Sequence, residues 1–189
     1  MKITQNWLEK HHACRPGLAW FKKQRASEHQ DVVRALVECR RLDWALWLCA
    51  HMLLSNPANA QTLNLYAARL VAPIFRKTEK DKDLRHRFSK MLDDIRHARY
   101  ALANRKAAYL IRHCISYPGA MVVSAFCCAT RLSCLNTHQA FWALDSAMVA
   151  AYYQDTSTCK KVALNTIKRG LKLIDEEAKH ELVKPRHRH

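Results

Sequence analysis

Glycine and proline are scarce in this chain, with three of the first and five of the second among 189 residues. Tight turns consume both, so a fold of many β-hairpins is excluded and long helices are favoured. No stretch reaches the roughly 18 uninterrupted apolar residues of a membrane span. The opening Met1-Lys2-Ile3-Thr4-Gln5 carries no apolar signal-peptide core. Also missing are a Gly-rich phosphate loop, a Gly-x-Ser-x-Gly elbow, a His-Glu-x-x-His helix and any Cys-x-x-Cys pair. These absences argue against an enzyme and against a bound cofactor. Asp93-Asp94 is the obvious carboxylate pair, but neighbours on a helix point about 100° apart and form no dyad.

Acidic residues are absent altogether between Asp94 and Asp145. That interval holds Arg96, Arg99, Arg105, Lys106, Arg112 and Arg131, a candidate binding patch for phosphates. The alternative is a solvated face balanced by acids elsewhere. A second candidate is a stripe on the last helix, Lys161, Lys168, Lys172 and Lys179, diluted by Glu176, Glu177 and Glu181. Over the whole chain 32 Lys and Arg face 16 acids, a formal charge of +16. Such a balance favours an anionic partner: nucleic acid, an acidic protein face or anionic lipid.

What the chain does have is helical pattern, and the expectation is an all-α fold. Hydrophobic residues make up 49% of it, enough for a core at this length. Thr4 can cap a first helix, and Pro16 suits a first turn. Ser27 with Gln30 reads as a capping box, Asp43 as a cap, and Asn56-Pro57 as another start. Pro73 should kink or end its helix, leaving the charged run Arg76 to Asp83 as an exposed connection. Leu84, Phe88, Met91, Ile95, Ala98 and Leu102 mark one apolar helical face. Tyr117-Pro118-Gly119 reads as a turn, Ala120 to Leu135 as the central buried helix. Phe141, Leu144, Met148 and Tyr152 follow on the next helix, and Asp155 or Thr156 caps the last. The sum is a single compact array of roughly nine to ten helices. It spans residues 1–183, with possible sub-lobes 1–76 and 84–183 and a basic tail 184–189.

Eight cysteines without a signal peptide suggest unpaired thiols in a reducing cytoplasm. Cys39, Cys49, Cys127 and Cys128 sit in apolar helical stretches, where free Cys packs as a small hydrophobe. Cys127, Cys128, Cys134 and His138 could be imagined around zinc, but structural zinc draws on short paired knuckles, and buried thiols explain them better. Trp7, Trp20, Trp44 and Trp47 crowd the first quarter, mostly as core; an exposed one would mark an interface.

In order along the chain come Met1-Lys2-Ile3-Thr4 with Trp7-Leu8, Ala13-Cys14-Arg15-Pro16-Gly17-Leu18-Ala19-Trp20-Phe21, Leu42-Asp43-Trp44-Ala45-Leu46-Trp47-Leu48, and Tyr66-Ala67-Ala68-Arg69. Over about residues 1–76 this order resembles a family of helical proteins of bacteriophages and prophages labelled immunity proteins. Arg69 stands where that family is commonly acidic, and the second half departs from its Ala-rich pattern. The resemblance implies a phage-type accessory protein that binds and inhibits or redirects a host factor, such as a nuclease or defence component, inside the bacterial cell. Direct nucleic-acid binding and toxin neutralisation are the alternatives. No catalytic residue, metal or cofactor follows from it, and the oligomeric state stays open.

Overall fold

The computed structural model describes residues 1–130 and 137–183, with side chains described for 1–130 and 141–179. Among the described residues ten α-helices form and no strand does, the fold class expected. They are α1 (Gln5–Lys10), α2 (Arg15–Phe21), α3 (His29–Glu38), α4 (Leu42–Met52), α5 (Pro57–Thr78), α6 (Lys82–Arg96), α7 (Tyr100–His113), α8 (Tyr117–Ala129), α9 (Thr137–Tyr152) and α10 (Thr156–Val183). None of them, among the described residues, is long and apolar enough to cross a membrane.

α8 is the centre, packed against α5, α7 and α9. Its Val122, Val123, Ala125 and Phe126 are fully buried. Phe75 of α5 stacks on Phe88 of α6 at 4.1 Å, and Phe88 meets Phe126 edge-on at 5.9 Å. Three helices are thereby tied through large rings. α9 presents Ala143, Ala147, Ala150 and Ala151, all buried, so α8 can approach its backbone closely. α10 crosses α4 and α5, and at Gly170 a Cβ would sit 3.1 Å from that of Cys49. Glycine lets the helices approach this closely without pushing Cys49 aside.

Several expected helix starts are in place. Thr4 accepts the Trp7 N–H at 3.1 Å, Asn56 accepts that of Asn59 at 3.2 Å, and Asp155 that of Thr158 at 2.7 Å. Pro16 and Pro57 lie in first turns.

Other boundaries differ. Ser27 forms no capping box: its carbonyl accepts the Ile3 N–H at 2.7 Å, and the Gln30 amide donates to Asp175 at 2.9 Å. Asp43 lies within the first turn of α4, whose N-cap is Arg41. Pro73 does not end α5, which runs on to Thr78. Pro73 and Arg69 are both exposed, so water can take the bond the ring withholds. The charged run is no free connection either. Arg76 to Thr78 finish α5, and Glu79 is only 2% exposed. Its carboxylate accepts the Asp81 N–H at 3.2 Å and the Ile115 N–H at 3.4 Å, pinning two loops together. Tyr117-Pro118-Gly119 is the first turn of α8, capped by Ser116, because a proline fits there. α8 ends at Ala129, and the expected stretch from Arg131 to Leu135 lies outside the described residues.

The apolar face from Leu84 to Leu102 is two helices. α6 stops at Arg96, Ala98 takes a left-handed φ of 57°, and α7 starts at Tyr100. Leu102 is consequently 44% exposed.

Candidate functional site

The acid-free interval begins directly after two acids, and the α6–α7 turn folds its cations back onto them. Arg99 bonds Asp94 at 2.9 Å and Asp93 at 3.3 Å, Lys106 bonds Asp94, and Arg96 lies 3.7 Å from Asp93. Asp94 is 3% exposed. Its hydrogen bond from Lys106, with Arg99 beside it, holds the carboxyl below the ordinary range despite burial. Arg99 and Lys106 are therefore structural cations. Arg105 and Arg112 stay exposed along α7, with no carboxylate within 4.0 Å among the described residues. Arg131 lies outside the described residues.

Lys161, Lys168, Lys172 and Lys179 are all exposed on α10. Lys172 sits 3.8 Å from Glu176. Lys168, Lys172 and Lys179 border a groove of about 710 Å³ between α3 and α10, shared with Glu38, Asp175 and Glu176. The stripe is thus a face of mixed sign.

A stronger assembly appears where the sequence draws no attention. α5 ends, α6 starts, α7 ends, α8 starts, α9 ends and α10 starts at one end of the bundle. The contacts fix this: Glu79 bonds the Ile115 N–H, Ser116 bonds Thr78 at 3.2 Å, and Tyr117 meets Tyr153 at 5.0 Å. On this end Ile115 is 84% exposed, and Tyr117, Tyr152 and Tyr153 are each more than half exposed. Tyr152 and Tyr153 lie 6.4 Å apart. The helix ends and turns at this end carry Arg76, Lys77, Lys80, Lys82, Arg112, Lys160 and Lys161, all exposed. Nearby acids are engaged: Asp81 caps α6, Asp83 pairs with Arg87 at 2.6 Å, and Asp155 caps α10. Tyr152, read from the sequence only as a position on this helix, is solvent-facing at the end of α9. Arg112 and Lys161, drawn from separate candidate groups, both lie at this end of the bundle; Arg96, Arg99 and Lys106 lie toward the other end of the α6–α7 pair.

A cavity of about 210 Å³ lies under the first four helices. Trp20, Phe21, Trp44, Trp47 and, from α9, Phe141 line it, with Asp43, His12 and Cys14 as its polar members. Trp20 and Trp44 meet edge-on at 6.4 Å, and the Arg41 guanidinium lies 4.6 Å over the Trp44 ring. Trp7, Trp20, Trp44 and Trp47 are all half-buried; the exposed tryptophan is Trp142, at 59%. Clustering in sequence pointed to the former, and nothing marked the latter.

Among the described residues no group of three or more His, Cys, Asp or Glu converges as a metal site. Cys49 and Cys127 are buried and Cys128 half-buried, while Cys39 is exposed because it caps the end of α3. Cys134 and the His138 side chain lie outside the described residues.

No curated protein and no solved structure matches the chain at a significant level. Residues 1–55 match the family described as the YdhT N-terminal domain. That span is α1 to α4 with the short 3-10 turn Leu53–Ser55, and it contains every residue lining the cavity except Phe141. The comparisons give no indication of the bacteriophage immunity family suggested by the motif order; what the first quarter is similar to is the YdhT N-terminal domain.

Proposed function

We propose that the protein is a non-enzymatic binder of single-stranded nucleic acid, and that the tyrosine-bearing end of the bundle is the binding face. The observation that carries this is the exposed trio Tyr117, Tyr152 and Tyr153 at the same end of the bundle as exposed lysines from three helix ends. Unpaired bases stack on aromatic faces, and lysines track the phosphates. Lysine is depleted at protein–protein interfaces, so a rim rich in it fits phosphate better than a protein surface.

A host protein, the nuclease or defence component implied by the sequence resemblance, is the second reading. It is favoured by exposed tyrosines and Arg112 at the same end of the bundle, residue types that dominate binding hot spots.

The test is fluorescence anisotropy of a labelled oligonucleotide at about 50 and about 200 mM salt, where counterion release makes affinity fall steeply. Tyr117→Ala and Tyr153→Ala should each weaken binding by about 1–3 kcal/mol if a base stacks there. Lys77→Glu with Lys161→Glu should weaken it further and flatten the salt slope. Absence of binding at the lower salt refutes the reading and leaves the protein partner. Reversing Arg99 or Lys106 is a poor probe, since a carboxylate there would face buried Asp94 and unfold the site.

A further inference from the structure

The cavity beneath α1 to α4 has the composition of a receptor for an organic cation. Its wall is aromatic: three indoles and two phenyl rings from α2, α4 and α9. An apolar cavity of about 150 Å³ already holds benzene, so 210 Å³ admits a small organic body. Most apolar cavities carry no charge, but this one has Asp43 in its lining, the one carboxylate-bearing residue there among the described residues. Rings with electron-rich faces beside a single carboxylate attract a positive, weakly hydrated head group, above all a quaternary ammonium. Trp44 already receives a cation on its ring, that of Arg41 at 4.6 Å. The site lies apart from the basic end face, and its ligand has the opposite charge.

We infer that the aromatic cavity lined by Trp20, Trp44 and Trp47, with Asp43 at its edge, binds a small organic cation of the alkylammonium class. The carboxylate supplies the charge pairing and the rings supply cation–π contact and apolar burial. A neutral molecule of the same shape keeps only the last of these. The excess positive charge of the protein opposes the approach of any cation, so affinity should rise as salt screens it.

Calorimetric titration of the full chain with choline and with 3,3-dimethylbutan-1-ol tests this. The alcohol replaces the charged nitrogen by carbon and changes little else. Choline should bind at one site, at least about tenfold tighter than the alcohol, and quench tryptophan fluorescence as it does. Asp43→Asn, an exposed position that leaves the core untouched, should remove that preference while alcohol binding stays as it was. Equal or tighter binding of the alcohol overturns the inference, as does the absence of choline binding. So does a preference for choline that survives in Asp43→Asn. None of these outcomes bears on the oligonucleotide titration, which reads a different surface.

Discussion

Replacing Ala98 by glycine should make the protein more stable, although it deletes a methyl group and puts the poorest non-proline helix former beside two helices. Ala98 has φ 57°, in the left-handed region where the Cβ of an L-residue crowds the carbonyl that follows. The conformation is imposed by the end of α6. The Ala98 N–H reaches the Ile95 carbonyl at 3.1 Å, and the Arg99 N–H reaches that of Asp94 at 2.8 Å, the paired closure that ends many helices. Glycine ordinarily occupies this position. For alanine the strain is roughly 1–2 kcal/mol. Glycine removes it but loses about 0.5–1 kcal/mol more backbone freedom on folding. Ala98 is exposed, so no buried contact goes with the methyl. The net gain is about 0.5–1 kcal/mol.

For a chain of this size that is a rise in Tm of about 1–4 °C. Thermal unfolding followed by circular dichroism reads it directly. Ala98→Val is the paired control, since a β-branched side chain suits the left-handed region worst and should lower Tm. Arg40 has the same φ of 58° at the end of α3, closed by the Arg41 N–H on the Leu36 carbonyl at 2.8 Å. Arg40→Gly should therefore move Tm in the same direction, and the two changes should add. If Ala98→Gly lowers Tm, or if glycine and valine behave alike, the assignment of backbone strain to this turn is wrong.

Asp94→Asn should destabilise the protein at neutral pH by about 1–3 kcal/mol, less than for a fully buried pair because Arg99 and Lys106 stay partly hydrated. Since its folded pKa is depressed, Asp94 contributes stability above the unfolded carboxyl value, near about 4, and loses it as pH falls through the folded value. The variant should show a shallower acid limb in urea titrations than the wild type, and an unchanged limb would refute the coupling. Alkylation by iodoacetamide at neutral pH, read by mass spectrometry, should label exposed Cys14 and Cys39 first. Cys49 and Cys114, pushed up to about 12 and about 11 by burial, should resist, since the thiolate is the nucleophile.

Helix identity was legible wherever apolar residues recurred with the helical period, and starts were legible where a side chain both caps and is a habitual capper, as at Thr4, Asn56 and Asp155. Stops were not. Gly17, Gly119 and Gly170 all lie inside helices, while His12, Arg40 and Ala98 take the left-handed turns. A reader looking for glycine after a periodic run finds none at residue 98 and joins α6 to α7. The electrostatic reading failed for a related reason. An interval without acids is basic only along the chain, and the turn at Ala98 lays Arg99 and Lys106 against Asp94. The tyrosine face was invisible because it gathers the ends of six helices, and no window of sequence contains more than two of them. The N-terminal cavity was not legible: the crowded tryptophans read mostly as core, and Phe141, far along the chain, completes its lining.

That closing residue raises the question of whether the two proposed binding sites communicate. Phe141 lies near the start of α9 and Tyr152 at its end, about 16 Å apart at the helical rise. A ligand in the cavity would touch one end of a helix whose other end carries Tyr152 of the proposed stacking platform. Coupling requires an element with two arrangements that the ligand favours unequally. α9 is a poor candidate. Its buried Ala143, Ala147, Ala150 and Ala151 seat it directly on its neighbours, and rotation or sliding would bring larger side chains into the space they leave. The expected result is independence: oligonucleotide affinity with and without saturating choline should agree. A change of more than about fivefold would correspond to about 1 kcal/mol of coupling and would mean that α9 has a second packed position.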